Sequence, residues 1–225
     1  MLTDSQVMEE LKALGSEQTR KTYGRHGVSG EAFGVKYGDL GKLTKKIKTD
    51  HALAKQLWAT GNHDARILAT MVADPQQADD ALIDAWTGDL PNYVVADALA
   101  SYVAKTPLAR AKMEAWTRSA DEWIGTAGWG LLSHLALNDL SLPDAYFEPY
   151  LETIERDIHA SKNRVRYAMN NAVIAIGLRS PQLEEKAIAA AERIGKVEVD
   201  HGQTGCKTPE AVSYIQKSKA RLRRA

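Results

Sequence analysis

Apolar residues recur every three or four positions along most of the chain, which is the spacing of an amphipathic helix. Val7, Leu11 and Leu14 share one face of a first segment. The same spacing predicts helices that open at Gly38, Asp50 and Asn62. It predicts further helices at about 78–87, 91–104, 107–118, 121–138, 143–159, 162–178, 181–195 and 209–223. Only residues 197–200 look strand-like, and they are too short and isolated to predict a sheet.

The helices follow one another through short turns, and they pair at intervals of roughly 35–40 residues, which is typical of HEAT-like repeats. Arrays of this kind stack into a curved solenoid whose concave face suits a long ligand. No interdomain linker interrupts the pattern. The sequence therefore predicts an all-α, HEAT-like helical-repeat solenoid with a concave groove, in which residues 1–225 form a single domain.

Composition agrees with a globular chain, since 44% of the 225 residues are hydrophobic and 26% are charged. No apolar run approaches the roughly 20 residues that span a bilayer. The chain has a single cysteine, Cys206, which excludes an intramolecular disulfide and fits a reducing compartment. Residues 1–4 do not resemble a signal peptide. A cytoplasmic protein with no membrane partner is the expectation.

The formal net charge is zero, but its distribution is uneven. Residues 1–48 carry a net charge of +3, residues 49–160 carry −10, and residues 161–225 carry +7. The last segment ends in a basic tail, residues 217–224. Such asymmetry fits a polyanion-binding surface, although solvated helix faces are the simpler explanation.

No motif for a metal or cofactor is found. The glycines between Gly24 and Gly34 do not form a phosphate-binding loop, and one cysteine with six scattered histidines makes no zinc pattern. The stretch from Asp200 to Cys206 brings Asp, His and Cys together, but a turn-rich connector explains it better. We therefore expect no cofactor and no metal.

Two helices carry unusual polar residues. Tyr93 and Asp97 are four residues apart and share a helix face, where a carboxylate beside an aromatic ring could stabilise a developing positive charge. A surface or buried structural aspartate is the alternative. In the helix at 162–178, the two adjacent asparagines suggest a hydrogen-bonding task, because asparagine is a mediocre helix former. Phosphate or base contacts and a brace between helices are both open there; the residues concerned are Asn163, Arg164, Arg166, Tyr167, Asn170 and Asn171.

Arg66 follows Asn62-His63-Asp64 at a predicted helix start, where exposed N–H groups and a basic side chain suit a phosphate. A surface arrangement of Asp64 with Arg66 is the alternative. The basic tail could likewise follow a phosphate backbone or simply favour the helix C-terminus.

Several motifs together resemble the AlkD-like DNA alkylation repair proteins. They occur in order over most of the chain: Phe33-Gly34-Val35-Lys36 before Asp39-Leu40, Leu57-Trp58 before Asp64-Ala65-Arg66, Asn92-Tyr93 before Asp97, and Cys206-Lys207-Thr208-Pro209. The resemblance implies a HEAT-like solenoid that holds duplex DNA in a basic concave groove. It also implies a glycosylase that removes cationic N3- or N7-alkylpurines without a metal or redox cofactor and without flipping the lesion into a deep pocket.

The resemblance also implies site residues. Asp97 matches the catalytic aspartate of the family, and Tyr93 stands where the family has a tryptophan. The arginine expected near Trp123 is replaced by Gly125 or Thr126, and a later tryptophan falls on Asn170 or Asn171. Arg164, Arg166 or Trp129 could compensate for these changes.

The interpretation is a DNA alkylation repair protein, with Asp97 as electrostatic catalyst and Tyr93 packed on the sugar. Predicted DNA contacts are Arg66, Arg164, Arg166, Asn170, Asn171, Trp129 and Lys207. Two alternatives stay open: a non-catalytic family member that binds distorted or branched DNA, and a repeat scaffold for protein partners.

Overall fold

The computed structural model describes residues 2–222, so Arg223 and Arg224 of the basic tail lie outside the described residues. Within that range the chain is helical and has no strand. The α-helices are α1 (Asp4–Leu14), α2 (Glu17–Arg25), α3 (Tyr37–Ile47), α4 (His51–Ala59), α5 (His63–Val72), α6 (Asp80–Gly88), α7 (Tyr93–Val103), α8 (Ala109–Trp116), α9 (Glu122–Asn138), α10 (Glu148–Asp157), α11 (Asn163–Arg179), α12 (Pro181–Ile194) and α13 (Ala211–Leu222). Short 3₁₀ turns occur at Pro75–Gln77, Asp144–Tyr146 and Ile158–Ala160.

Polar side chains fix where several helices begin. The Asn62 side chain accepts hydrogen bonds from the N–H groups of Asp64 and Ala65, and it thereby caps α5. Asn92 caps α7 in the same way. Each cap satisfies N–H groups that have no partner within the helix. The capping position also places His63 and Tyr93 at the first residue of their helices.

The residues up to Leu108, together with Gly202–Thr204, form one compact unit, called here the N-terminal unit. In it α5 packs against α3, α4 and α7. Its core includes Trp58 stacked on Trp86, with ring centroids 4.4 Å apart and an interplanar angle of 6°. The α5 helix thus contacts both α3 and α7.

Residues Ala109–His201 and those from Gly205 on form the C-terminal unit. There α11 packs against α9, α12 and α13, and α8 packs against α9. Gly128 in α9 permits a close approach to α8, because a Cβ atom at this position would lie 2.6 Å from the backbone nitrogen of Thr117. The single domain expected from the sequence stays a prediction.

Two elements differ from the expectation. The pattern predicted no helix at α2, which buries none of its residues. It predicted one helix over 143–159, whereas 3₁₀ turns flank α10 on both sides. The all-α architecture is confirmed. No helix among residues 2–222 is long and apolar enough to cross a membrane.

Gly38 and Gly41 lie inside α3 without a conformational reason to be glycine. Neither has a positive φ, and a Cβ atom at either position would meet nothing within 4 Å. A glycine inside a helix is less favourable than alanine by about 0.5–1 kcal/mol. The packing and backbone of this unit therefore do not account for either glycine.

Candidate nucleic-acid interface

Asp97 lies on the exposed side of α7, one helical turn after Tyr93. Its side chain borders a surface cavity of about 180 Å³ in the N-terminal unit. The rim of this cavity also includes Tyr37 from the start of α3, Met71 from α5, and Lys105 just after α7. A carboxylate at an open cavity is accessible to a ligand, as the predicted role of Asp97 requires.

Tyr93 is half-buried, and its hydroxyl group lies 3.1 Å from Nδ1 of His26. His26 is the residue that directly follows α2 and caps its C-terminal end. The contact therefore fixes the far end of the Tyr93 ring against the segment that joins α2 to α3. It leaves Tyr93 beside Asp97 on the same helix.

Tyr37, at the start of α3, is a further aromatic residue close to Asp97 and Tyr93. Its side chain is 48% exposed. Partial burial raises the pKa of Tyr37 strongly, and the Asp97 carboxylate, Tyr23 and Tyr93 raise this pKa further. Tyr37 thus lies close to Asp97, Tyr23 and Tyr93, and nearly half of its surface faces solvent.

Tyr23 completes the cluster. Its hydroxyl group donates to the backbone oxygen of Val35, and its ring lies edge-on to His63 with centroids 5.1 Å apart. Burial and the nearby Asp64 raise the pKa of Tyr23 to about 12. His63 is buried, and burial lowers its pKa, so its ring stays neutral at neutral pH.

Asp64 holds the two motifs of the resemblance together. Its carboxylate is fully buried and accepts hydrogen bonds from the backbone N–H groups of Phe33, Gly34 and Val35, at 2.7–3.0 Å. Gly34 has a φ of +79°, and a Cβ atom there would lie 2.5 Å from the Ser16 oxygen. Asp64 therefore serves the fold, and it fixes the segment that leads into Tyr37.

Arg66 is held by the protein itself. Its guanidinium lies over the Trp58 ring at 5.3 Å from the centroid, and it donates to the backbone oxygens of Trp58 and Asp89. Its side chain is only 13% exposed. This placement corresponds to a brace between helices and differs from the phosphate contact suggested by the sequence.

Three of the other predicted DNA contacts are also buried, in the C-terminal unit. Trp129 is 1% exposed and packs edge-on against Tyr150, because it lies on the core side of α9. Asn170 is 4% exposed, and its amide donates to the Pro209 oxygen. Arg164 is 8% exposed. Burial makes a structural role the better explanation for all three.

The remaining candidates keep some exposure. Arg166 and Asn171 are half-buried on α11, and the buried Nε of Arg166 has no hydrogen-bond partner among the described residues. Lys207 is exposed at the edge of a cavity of about 880 Å³ within the C-terminal unit, which His201 and Cys206 also border. No group of three potential metal ligands occurs among residues 2–222.

The sequence of the chain matches a protein family described as DNA alkylation repair enzyme, over residues 7–215. The chain belongs to this family. Two relatives from Listeria are each 33% identical to it over 99% of its length and 100% of their own. They are the uncharacterized protein Lin0241 of Listeria innocua serovar 6a and the uncharacterized protein Lmo0209 of Listeria monocytogenes serovar 1/2a.

A solved structure resembles this family member closely, with a TM-score of 0.90 and 33% identity over 99% of this chain and 96% of the other. That protein is described as one of "a new family of proteins related to the HEAT-like repeat DNA glycosylases with affinity for branched DNA structures". The similarity confirms the HEAT-like repeat fold predicted from the sequence.

The positions at which the resemblance implies an arginine are buried in this family member. Gly125 and Thr126 are both buried in α9, and a Cβ atom on Gly125 would lie 3.1 Å from a methyl group of Val165. A side chain at either position points into packed protein. Of the site positions that the resemblance indicates, Tyr93 and Asp97 in the N-terminal unit therefore remain accessible.

Proposed function

We propose that the chain binds DNA and prefers branched structures to linear duplex. The observation that carries this proposal is the similarity, over nearly the whole of both chains, to a protein with affinity for branched DNA. The buried positions of Trp129, Gly125 and Thr126 support it, because the site lacks the second aromatic residue and the arginine that the resemblance associates with excision.

The α3 helix offers a surface for the phosphate backbone. Lys45 and Lys48 are exposed at its C-terminal end, and Lys36 is exposed just before its start. Lys42 and Lys46 pair with Asp39 and Glu10. Cations that replace condensed counterions give DNA binding its affinity and its salt dependence. We include Arg166, Asn171 and Lys207 of the C-terminal unit as further candidates for DNA contacts.

Fluorescence anisotropy tests this proposal with a four-way junction, a fork and a linear duplex of matched sequence. We expect tighter binding to the junction and the fork than to the duplex. The double variant Lys45→Ala/Lys48→Ala should weaken binding to all three, and the slope of log affinity against log salt should fall by about two.

The control is Arg156→Ala, which removes an exposed cation whose partner is the neighbouring Asp157. It should leave both the affinity and the salt slope unchanged. Equal affinities for branched and linear DNA would refute the preference, and no binding even at low salt would favour the protein-scaffold alternative.

The exposure of Asp97 favours a second candidate, the excision of cationic alkylpurines. When the glycosidic bond breaks, its electron pair leaves with the purine and positive charge develops on the sugar. A carboxylate beside the sugar stabilises this oxocarbenium-like state, and water then adds to C1′. Tyr93 would pack on the sugar in this reaction.

Release of methylated base from methylated duplex DNA tests the second candidate. The second candidate is supported if the parent chain releases the base and the rate of release by Asp97→Asn is at least about 100-fold lower. Asp84→Asn, at an exposed position of α6, is the matched control and should keep the parent rate. Lack of release by the parent chain, or equal release by Asp97→Asn, would exclude excision at this site and leave the DNA-binding proposal intact.

A further inference from the structure

We propose that Tyr37 is a stacking platform for one unpaired base of a branched DNA, and that Asp97 accepts a hydrogen bond from the exocyclic amino group of that base. This inference rests on the proposed function. It assigns the cavity beside Asp97 to a base with an exocyclic amino group, which cytosine and adenine have and thymine lacks. The sequence motifs do not include Tyr37.

The first observation is the large exposed fraction of Tyr37. Its side chain is 48% exposed, which is unusual for a large hydrophobic residue of this chain; the others among the described residues are Leu14, Leu137, Leu140 and Tyr214. Tyr37 borders the same cavity as Asp97 and Tyr102. A tyrosine side chain has only two χ angles, so it loses little conformational freedom when a base stacks on it. Base stacking on aromatic rings is the common means of binding unpaired nucleotides.

The second observation is the open space along α3. The next residue along the helix is Gly38, and the residue four positions after Tyr37, its neighbour on the same helix face, is Gly41. Neither glycine is required by packing or by backbone conformation. Neither of these two positions therefore contributes a side chain that covers Tyr37. Lys45 lies one further turn along and is exposed, where it could hold the phosphate that follows the stacked base.

The third observation is the chemistry of the cavity rim. Tyr37 and Asp97 border the same cavity of about 180 Å³, so a base on the ring presents an edge to the carboxylate. A carboxylate accepts hydrogen bonds from the amino groups of cytosine and adenine. Thymine has no amino group, and the negative charge repels the two carbonyl oxygens that flank its N3–H. Lys105, on the same rim, is exposed and could contact a flanking phosphate.

The test uses three-way junctions with one unpaired nucleotide at the branch point: cytosine, adenine, thymine or the fluorescent analogue 2-aminopurine. With the parent chain we expect the cytosine and adenine junctions to bind about threefold or more tightly than the thymine junction. We also expect the fluorescence of 2-aminopurine to be quenched on binding, because stacking on an aromatic ring quenches it.

Three variants separate the parts of the inference. Tyr37→Ala should abolish quenching and weaken binding to the cytosine junction at least about fivefold, while Tyr37→Phe should keep both. Asp97→Asn should remove the discrimination against thymine and keep the quenching. Gly41→Met keeps Tyr37 and fits the open space of the fold, but it should cover the ring and reduce the quenching.

Tyr214→Ala is the matched control, since Tyr214 is 49% exposed on α13 and lies outside the proposed platform. It should leave quenching and base preference unchanged. Persistent quenching in Tyr37→Ala, or equal binding of cytosine and thymine junctions by the parent chain, would overturn the inference even if the preference for branched DNA holds. Loss of that preference with quenching retained on a fork would instead count against the proposed function alone.

Discussion

Asp64→Ala is expected to lower the free energy of unfolding by about 3–5 kcal/mol. The substitution leaves the buried N–H groups of Phe33, Gly34 and Val35 without an acceptor. Each unsatisfied buried group costs about 1–3 kcal/mol, and partial relaxation of the segment offsets some of the total. Urea unfolding followed by circular dichroism measures the change.

Asp64→Asn keeps the shape of the side chain and reduces the number of acceptor oxygens, so it shows how much of the stability loss comes from the missing acceptors. The amide keeps one acceptor oxygen and places a donor where one or two N–H groups now point, so a loss smaller than that of alanine is expected. Asp84→Asn on the surface of α6 should change the stability by less than about 0.5 kcal/mol. A stability of Asp64→Ala within 1 kcal/mol of the parent chain would show that the three bonds are dispensable.

Arg179→Ala is expected to be nearly as damaging, with a loss of about 3 kcal/mol or more. The Arg179 side chain is 7% exposed and lies over the Phe147 ring at 4.7 Å from its centroid. Its guanidinium donates to the backbone oxygens of Ala136 and Leu142 and pairs with Asp144 at 3.0 Å. One side chain therefore ties the end of α11 to the end of α9 and to the turn before α10.

Arg179→Lys should restore only part of this stability, because one ammonium group cannot donate along the three directions of the planar guanidinium. Arg193→Ala is the control: it removes a bidentate but exposed pair with Glu155, for which a cost below about 1 kcal/mol is expected. Thermal unfolding of the three variants ranks them. Equal losses for Arg179→Ala and Arg193→Ala would argue against a special role for the buried arginine.

Helix periodicity predicted the architecture because most helices here have a buried stripe, as Leu53, Leu57 and Trp58 do in α4. It missed α2 because that helix buries none of its residues and so carries no apolar period. The available signal was local: the Ser16 hydroxyl accepts a hydrogen bond from the Thr19 N–H and caps the helix.

The site was partly predictable. Spacing and resemblance selected Asp97 and Tyr93, but they gave no means of finding Tyr37, Tyr23 and His26, which the packing of α2 and α3 brings to α7. Spacing also could not show that Arg66 and Asn170 face protein groups. An arginine at a helix start looks the same in sequence whether its partner is a phosphate or the Asp89 backbone oxygen.

The hydrogen bonds between the Asp64 carboxylate and residues 33–35 limit how this array can be shortened or extended. Helical repeat proteins are commonly modular, since each repeat contacts only its neighbours. Here a carboxylate at the start of α5 supplies acceptors to a segment 29–31 residues earlier in the chain. Removing α1–α3 would remove the segment that donates all three hydrogen bonds to the Asp64 carboxylate. The first three helices are therefore an indivisible part of the repeats that follow them, in evolution as in protein engineering.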